Sequence, residues 1–317
     1  MTITYKPSLL FKNPHINTIY ASKFRKVDEV YTSKFRLELS DGDFLNIDTR
    51  ITGSKRAIVI VHGLGGHSKR TYVMGLAKAF INLGYDIFGV NLRGCGGETN
   101  RLIKTYHAGK YDDVDEIVKH ISVKYKYQDI GIAGFSLGGV ITSRYFIESG
   151  SSSLASFGIA ISAPFDLATT SELLSNSRFY MSYFLKKLKR EMQKKADIFD
   201  EISMEDYDLI KTFAQYDDRY TAPLNGFKSA VDYWKKSSTA SRLKTIKKPF
   251  LIISSEDDPV LSRESLPYEI DKINSYINVQ ITKYGGHTGF LEKTGVPCWH
   301  EKCSALFVKK IGLTTNN

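Results

Sequence analysis

The sequence Gly134-Phe135-Ser136-Leu137-Gly138 lies directly after the apolar run 130–133 and directly before a helical pattern, as expected for a turn between a strand and a helix. A sharp turn from a strand into a helix exposes a serine Oγ and aims the first backbone N–H groups of the helix at the same point. Such a turn has no room for side chains two residues before and two residues after the serine, and glycine occupies both positions here. The motif therefore predicts that Ser136 is a nucleophile.

Short apolar runs recur along the chain, and they are nearly continuous rather than alternating. Continuous runs are typical of strands that are covered on both faces, as in a parallel sheet. They lie at 57–61, 86–91, 130–133, 157–161, 250–254 and 277–281. Helical patterns at 72–83, 112–124 and 137–149 alternate with them, and the runs 35–39 and 44–50 flank a turn and predict a hairpin. The pattern predicts a doubly wound α/β fold with a mostly parallel sheet and helices on both faces.

The alternation stops between 163 and 247, where the chain is polar and helix-rich. This stretch is too long for one loop, so we expect a helical cap inserted within a single domain that spans 1–317. Aromatic side chains near 179–184 either line an acyl pocket or dock the cap onto the core, and both can hold at once. The basic run 186–190 favours a solvated helix face, with weak peripheral contact to an anionic membrane as the alternative.

Composition excludes several classes of protein. The net charge is +10, but the basic residues are spread along the chain and no nucleic-acid module is visible, so we expect no nucleic-acid partner. No apolar stretch approaches the roughly 18 residues that span a bilayer, and residues 1–24 do not resemble a signal peptide. Three cysteines cannot form a disulfide framework, which indicates a reducing, cytoplasmic location.

Two cysteine-containing segments were considered, one for a zinc site and one for a cysteine nucleophile, and we expect neither. Cys298, His300 and Cys303 are close in sequence, but their spacing fits no zinc pattern and a fourth ligand is missing, so we expect no metal. Cys95 follows a predicted strand without an evident histidine partner, so we do not expect it to be a nucleophile.

A serine nucleophile needs a base, and in folds with this turn the chain order is serine, then acid, then histidine. Only His287 and His300 follow Ser136. We favour His287, because it lies in a glycine-rich loop after an apolar run and such loops carry functional residues. His300 opens a predicted C-terminal helix and is the weaker candidate.

The acid is expected in the loop after the strand 250–254, where Asp257 and Asp258 both qualify. A carboxylate there would bind the Nδ1–H of the histidine and leave its Nε2 free to accept the serine proton. Pro259 restricts the preceding residue to an extended backbone, which favours Asp258. We expect Glu256 and Asp257 to face solvent or to cap the next helix.

The oxyanion that forms during attack on an ester needs preorganised donors. One is the backbone N–H of Leu137, directly after the serine. The loop His62-Gly63-Leu64-Gly65-Gly66 matches the glycine-rich oxyanion loops of esterases, which makes the Leu64 N–H the second donor. His62 is expected to be a structural hydrogen-bonding residue. The loop lacks the G-K-[ST] sequence of a phosphate-binding loop.

Taken together, these motifs resemble the YheT-like hydrolases, an α/β-hydrolase branch that also includes yeast medium-chain fatty-acid ethyl ester synthase/esterases and animal lipid-handling relatives. The resemblance spans most of the chain. It rests on the segments NPHINTI (13–19), HGLGG (62–66), NLRGCGGETNR (91–101), YHAG (106–109), GFSLGG (134–139), YTAPLNGF (220–227), DDP (257–259) and GGHTGF (285–290). Pro14 and Asn17 depart from the glycine and glutamine that are usual in the first segment, which leaves the role of that segment open.

The resemblance implies an α/β-hydrolase fold with a helical cap and a serine esterase that uses Ser136, Asp258 and His287 without a metal or organic cofactor. We therefore expect hydrolysis of short- to medium-chain acyl esters through an acyl-serine intermediate, with transfer of the acyl group to an alcohol as a further option. A lipase or phospholipase at membrane surfaces is the enzymatic alternative. A non-catalytic binding protein with this fold is the rival from another class.

Overall fold

An eight-stranded sheet forms the centre of the computed structural model, which describes residues 3–313. The strands are β1 (Ser33–Glu38), β2 (Phe44–Arg50), β3 (Arg56–Val61), β4 (Asp86–Asn91), β5 (Asp129–Phe135), β6 (Phe157–Ile161), β7 (Phe250–Ser255) and β8 (Ile277–Thr282). They lie in the order β1-β2-β4-β3-β5-β6-β7-β8. Strands β3 to β8 are parallel, while β2 is antiparallel to both of its neighbours, β1 and β4, at one edge. The predicted fold class is confirmed.

Helices cover both faces of the sheet. They are α1 (Pro14–Lys23), α2 (Thr71–Ile81), α3 (Asp112–Tyr125), α4 (Leu137–Ser149), α5 (Leu167–Ser175), α6 (Arg178–Ala196), α7 (Phe213–Tyr216), α8 (Ala222–Leu224), α9 (Ala230–Ser237), α10 (Ile270–Ile273) and α11 (Trp299–Lys310). Each predicted strand and helix lies within two residues of an observed one.

The central strand β3 shows why its sequence is continuously apolar. Val59 and Val61 pack into the cluster beneath α3 and α4, whereas Ile58 and Ile60 pack into the cluster beneath α2 and α11. All four side chains are fully buried. Since successive side chains of a strand point to opposite faces, a strand covered on both sides needs an apolar residue at every position.

The chain between β6 and β7 is helical, with α5 to α9 in this insert. Its inner side chains form a separate apolar cluster, which includes Leu174, Leu188 and Tyr220. Val260 and Leu261, from the loop after β7, join the same cluster. The insert is thus packed against the loop that carries Asp258.

None of the helices within residues 3–313 combines the length and the apolar character needed to cross a bilayer.

A buried ion-pair network fixes the loop after β4. The Arg93 guanidinium donates to both carboxylate oxygens of Asp113, at 2.8 and 2.7 Å, and to Asp43 at 2.9 Å. Asp41 lies 2.9 Å from the same guanidinium. Burial raises the pKa of the Asp113 carboxyl, although the guanidinium opposes that shift.

Replacing Arg93 with alanine is expected to lower the free energy of unfolding by about 3–5 kcal/mol, because it leaves buried carboxylates without their partner. Urea denaturation measures this change. Arg101→Ala is the matched control, since Arg101 pairs with Glu38 on the surface, where an ion pair contributes about 1 kcal/mol or less. If both variants lost the same free energy of unfolding, the stabilising role assigned to the buried Arg93 network would be contradicted.

Candidate active site

Ser136 lies at the turn between β5 and α4 in a backbone conformation that is unusual for a residue other than glycine, with φ 53° and ψ −121°. Conformations of this kind cost about 1–3 kcal/mol and persist where the surrounding structure enforces them. A Cβ at position 134 would lie 2.0 Å from the Gly138 carbonyl oxygen, and a Cβ at position 138 would lie 2.4 Å from that of Val61. The turn thus requires both glycines and presents the serine at the carboxyl end of the sheet.

His287 lies in the loop after β8, with its Nε2 3.0 Å from the Ser136 Oγ. The two preceding glycines have φ angles of 155° and 58°, so they let the chain bend back over the serine. The loop is also anchored through its backbone, because the Thr288 N–H donates to the Ser162 Oγ at 3.0 Å.

Asp258 contacts the other side of the imidazole. Its carboxylate oxygens lie 2.9 and 3.1 Å from the His287 Nδ1. The Val260 and Leu261 N–H groups donate to Oδ1 at 2.8 and 3.2 Å, and the side chain is completely buried. With Nδ1–H donating to this carboxylate, the tautomer leaves the Nε2 lone pair directed at Ser136.

The expectation that Asp257 faces solvent or caps a helix is wrong. Its side chain is half-buried, and Oδ1 accepts the Gly286 N–H at 2.9 Å. Burial raises the pKa of this carboxyl. Asp257 therefore contacts the backbone of the histidine loop, whereas Asp258 contacts the imidazole itself.

The loop after β3 passes directly beside the serine, since a Cβ at Gly63 would lie 3.1 Å from the Ser136 Cβ. Tyrosine hydroxyls accept the Gly63 and Gly65 N–H groups at 3.3 and 2.9 Å. Among the residues described, neither the Leu64 nor the Leu137 N–H has a hydrogen-bond acceptor. Both groups are therefore available to a substrate.

His62 connects this loop to the residue that directly follows β4. Its Nδ1 lies 2.8 Å from the Gly63 carbonyl oxygen, and its Nε2 accepts the Leu92 N–H at 3.1 Å. Burial lowers the pKa of the imidazole to about 3, so the ring stays neutral with both nitrogens in use. These contacts agree with the structural role expected from the sequence.

The remaining candidates lie outside this arrangement. His300 is fully buried in α11 against the rings of Phe135 and Phe290, at 5.5 and 5.8 Å between centroids. Within residues 3–313, Cys298, His300 and Glu301 form the one cluster of potential metal ligands. The Glu301 carboxylate is already paired with the Arg25 guanidinium at 2.6 and 3.0 Å, and that positive charge opposes a cation.

Cys95 does not have the properties of a reactive thiol. Burial raises its pKa well above the ordinary value, so little thiolate forms at neutral pH.

The sequence did not reveal the role of α1, which packs against the histidine loop and binds its backbone. The buried Asn17 amide donates to the Phe11 carbonyl at 2.8 Å and accepts the Leu291 N–H at 3.0 Å. The Thr18 Oγ1 accepts the His287 N–H at 2.8 Å. A Cβ at Gly286 would lie 2.5 Å from the Pro14 carbonyl oxygen. The sequence contains a polar segment at 13–19, but no local pattern indicates that it contacts the histidine loop.

Thr18→Val should therefore lower both activity and stability. Loss of the hydroxyl leaves the His287 N–H without its acceptor, which costs about 1–3 kcal/mol of unfolding free energy. Displacement of the imidazole should lower kcat by about 10- to 100-fold. Thr18→Ser keeps the acceptor and should retain both properties in steady-state kinetics and urea denaturation. A valine variant with the kcat of the parent would contradict this role for α1.

Two cavities meet at Ser136. We call the first, of about 130 Å³, the apolar cavity. Its apolar and aromatic lining consists of Leu64, Tyr106, Leu137, Pro164, Leu167, Leu174, Phe184, Leu188, Met192, Phe213, Tyr216, Tyr233, Trp234 and Val260. Most charged groups on its wall already have partners within the protein. Arg93 binds Asp113, Glu191 accepts from Tyr106, Lys195 donates to two carbonyls, and Asp217 accepts from Thr221 and Trp234.

We call the second, of about 170 Å³, the basic cavity, because two lysines line it. Its lining residues are Thr18, Ile19, Ser22, Lys23, Gly63, Leu64, Tyr72, Ser136, Phe179, Tyr180, Tyr183, Phe184, Lys187, Val260, His287 and Thr288. Leu64, Ser136, Phe184 and Val260 border both cavities. The serine thus stands at the junction of the two cavities.

Comparisons with known proteins agree with this architecture. Residues 52–294 match the Hydrolase_4 family, described as Serine aminopeptidase, S33. The chain is 29% identical to the YheT protein of Escherichia coli K12 over 90% of this chain and 86% of that protein. It is 27% identical to Phospholipase ABHD3 of Mus musculus, over 95% and 71% of the two chains. These matches confirm the resemblance to YheT-like hydrolases.

Solved structures show the same fold. The Pyrococcus furiosus esterase Pf2001 superposes with a TM-score of 0.62 at 17% identity, over 90% of this chain and 98% of that chain.

Proposed function

The chain belongs to the Hydrolase_4 family of α/β hydrolases, and on that premise we propose that it is a serine carboxylic-ester hydrolase that forms an acyl-enzyme on Ser136. The observation that carries the proposal is the unbroken hydrogen-bonded series from the Ser136 Oγ through the His287 imidazole to the Asp258 carboxylate. A nucleophile, a base and a group that orients the base are the three parts that acyl transfer needs.

The reaction follows from these contacts. His287 Nε2 accepts the Ser136 proton while Oγ bonds to the ester carbonyl carbon. The Leu64 and Leu137 N–H groups stabilise the resulting oxyanion. His287 then gives the proton to the departing alkoxide as the carbon–oxygen bond breaks. A water molecule, deprotonated by His287, attacks the acyl-serine and releases the carboxylate, and the proton returns to Ser136.

The two cavities indicate how the ester substrate is oriented at Ser136. His287 must reach the departing alkoxide, and it lines only the basic cavity, whereas Leu137 lines only the apolar cavity. We therefore place the alcohol part in the basic cavity and the acyl chain in the apolar cavity. The helical insert 163–247 supplies most of the apolar wall and would act as the cap. An enclosed acyl-enzyme favours short- to medium-chain acyl groups, and an alcohol in the basic cavity could replace water as the acceptor.

A panel of nitrophenyl esters from acetate to palmitate tests this assignment. We expect kcat/KM to be highest at a short or medium chain. Ser171 lies on α5 in the wall of the apolar cavity, so Ser171→Leu should move the optimum to shorter chains. Ser175→Leu adds the same side chain at an exposed position of the same helix and should leave the optimum in place.

Two results would contradict the proposal. An optimum that Ser171→Leu does not move would remove the acyl chain from the apolar cavity. A rate maximum at palmitate that appears only with lipid interfaces would indicate a lipase instead. The exposed Phe24 and Phe179, 64% and 62% accessible, are the features that favour that alternative.

A further inference from the structure

Two tyrosine hydroxyls hold the loop after β3 on either side of the oxyanion donor. The Tyr72 hydroxyl accepts the Gly63 N–H at 3.3 Å, and the Tyr106 hydroxyl accepts the Gly65 N–H at 2.9 Å. The Leu64 N–H belongs to the peptide group between these two. The donor that faces the substrate therefore lies between two peptide groups whose orientations are fixed by hydrogen bonds.

The Tyr106 hydroxyl is itself oriented by the helical insert. It donates to the Oε2 of Glu191, a residue of α6, at 3.0 Å. An ionised carboxylate can only accept hydrogen bonds, so it directs the hydroxyl proton toward α6 and leaves a lone pair of the phenol oxygen for the Gly65 N–H. Burial raises the pKa of the Glu191 carboxyl, and the hydrogen bond from Tyr106 opposes that shift. Three groups from distant segments thus form one directed series of hydrogen bonds.

Helix α6 also contacts the loop directly at Gly65. A Cβ at this position would lie 3.1 Å from the Lys187 Cδ and 3.2 Å from the Glu191 Oε1. Because residues four apart are neighbours on a helix surface, one face of α6 covers the loop. Gly65 has a φ of 59°, a conformation that favours glycine. The insert and the loop after β3 therefore meet at the residue next to the oxyanion donor.

A donor stabilises an oxyanion only when it is already directed at the position where the charge develops. We propose that Tyr106 and Glu191 are positioning residues, which keep the Leu64 N–H directed at the substrate oxygen through their hydrogen bonds to the Gly65 N–H. The inference rests on the proposed ester hydrolysis and goes beyond it, because it makes the insert a part of the machinery that stabilises the transition state.

The first test is Tyr106→Phe, which keeps the ring and removes the hydroxyl. We expect kcat for nitrophenyl hexanoate to fall by about 10- to 100-fold, less than the roughly 10²- to 10³-fold loss when an oxyanion donor is removed outright. KM should stay within about twofold of the parent, since the interaction acts in the transition state. A change in KM alone would assign the hydroxyl to substrate binding and would overturn the proposal.

Tyr207→Phe is the matched control. Tyr207 is buried, and its hydroxyl donates to the Leu185 carbonyl of α6 at 2.9 Å. It lines neither cavity. This variant also removes a buried hydroxyl that binds α6, but it should keep the kcat of the parent. An equal loss of kcat in both variants would show a general effect of the insert and would contradict the proposal.

The role of Glu191 is tested by a double-mutant cycle. Glu191→Gln should lower kcat by about tenfold, because the neutral amide binds the hydroxyl more weakly and can donate as well as accept. The double variant Tyr106→Phe/Glu191→Gln should have the kcat of Tyr106→Phe alone, since the carboxylate acts only through the hydroxyl. Losses that multiply in the double variant would overturn this route.

A transition-state analogue separates positioning from a loss of folded protein. Hexylboronic acid forms a bond from boron to the Ser136 Oγ, and its tetrahedral adduct places an oxygen where the substrate oxyanion develops. Its inhibition constant should rise in Tyr106→Phe by the factor by which kcat/KM falls, and it should not change in Tyr207→Phe. An unchanged constant in Tyr106→Phe would overturn the proposal. The proposed function fails differently: the parent itself would neither hydrolyse the ester nor react with a fluorophosphonate.

Discussion

Replacing Ser136 with alanine is expected to lower kcat by about six orders of magnitude, the scale seen when the nucleophile of a serine hydrolase is removed. The imidazole of His287 would keep its contact with Asp258 but would have no hydroxyl to activate. Alanine keeps the Cβ, so the strained turn at φ 53° should form as before and the free energy of unfolding should change little. Steady-state hydrolysis of a medium-chain nitrophenyl ester measures the rate.

Ser143→Ala provides the control for this result. Ser143 is also buried, and its hydroxyl donates to the Gly139 carbonyl at 2.5 Å within α4, away from the imidazole. It should retain the activity of the parent. If Ser136→Ala kept a rate within about tenfold of the parent, the nucleophile would lie elsewhere, since a lost nucleophile costs far more.

The second large effect is expected at the acid. Asp258→Asn should lower kcat by about 10⁴-fold, because an amide in this position favours the tautomer with the proton on the wrong imidazole nitrogen. Asp257→Asn should lower kcat by no more than about tenfold, because its amide oxygen can still accept the Gly286 N–H. The two substitutions are chemically identical and one residue apart, so each serves as the control for the other.

Single-turnover kinetics separates the two variants further. Formation of the acyl-enzyme should be slow in Asp258→Asn and nearly unchanged in Asp257→Asn. The reverse order would assign the acid to Asp257 and would contradict the geometry on which the mechanism depends.

The parts of the fold that could be predicted from the sequence are those with local physical causes. Continuous apolar runs such as β3 and β4 identify strands covered on both faces, whatever the rest of the chain does. The glycines around Ser136 are required for a local steric reason, because a Cβ at position 134 would lie 2.0 Å from the Gly138 carbonyl oxygen. The order of serine, acid and histidine then predicted that three distant residues lie in loops at the carboxyl edge of the sheet.

The parts that could not be predicted depend on contacts between distant segments. Thr18 and His287 are 269 positions apart, and no local pattern indicates that the Thr18 hydroxyl accepts a hydrogen bond from the His287 N–H. Asp257 was expected to face solvent or to cap the next helix, whereas its partner, the Gly286 N–H, lies 29 positions further along the chain.

Covalent labelling is the direct test of whether Ser136 attacks as a nucleophile. The folded protein is treated with a fluorophosphonate probe, and the adduct is located by intact mass and peptide mapping. We predict one adduct on Ser136 in the parent, none in Ser136→Ala, and slow formation in Asp258→Asn. No labelling of the folded parent, or an adduct that persists in Ser136→Ala, would contradict the claim.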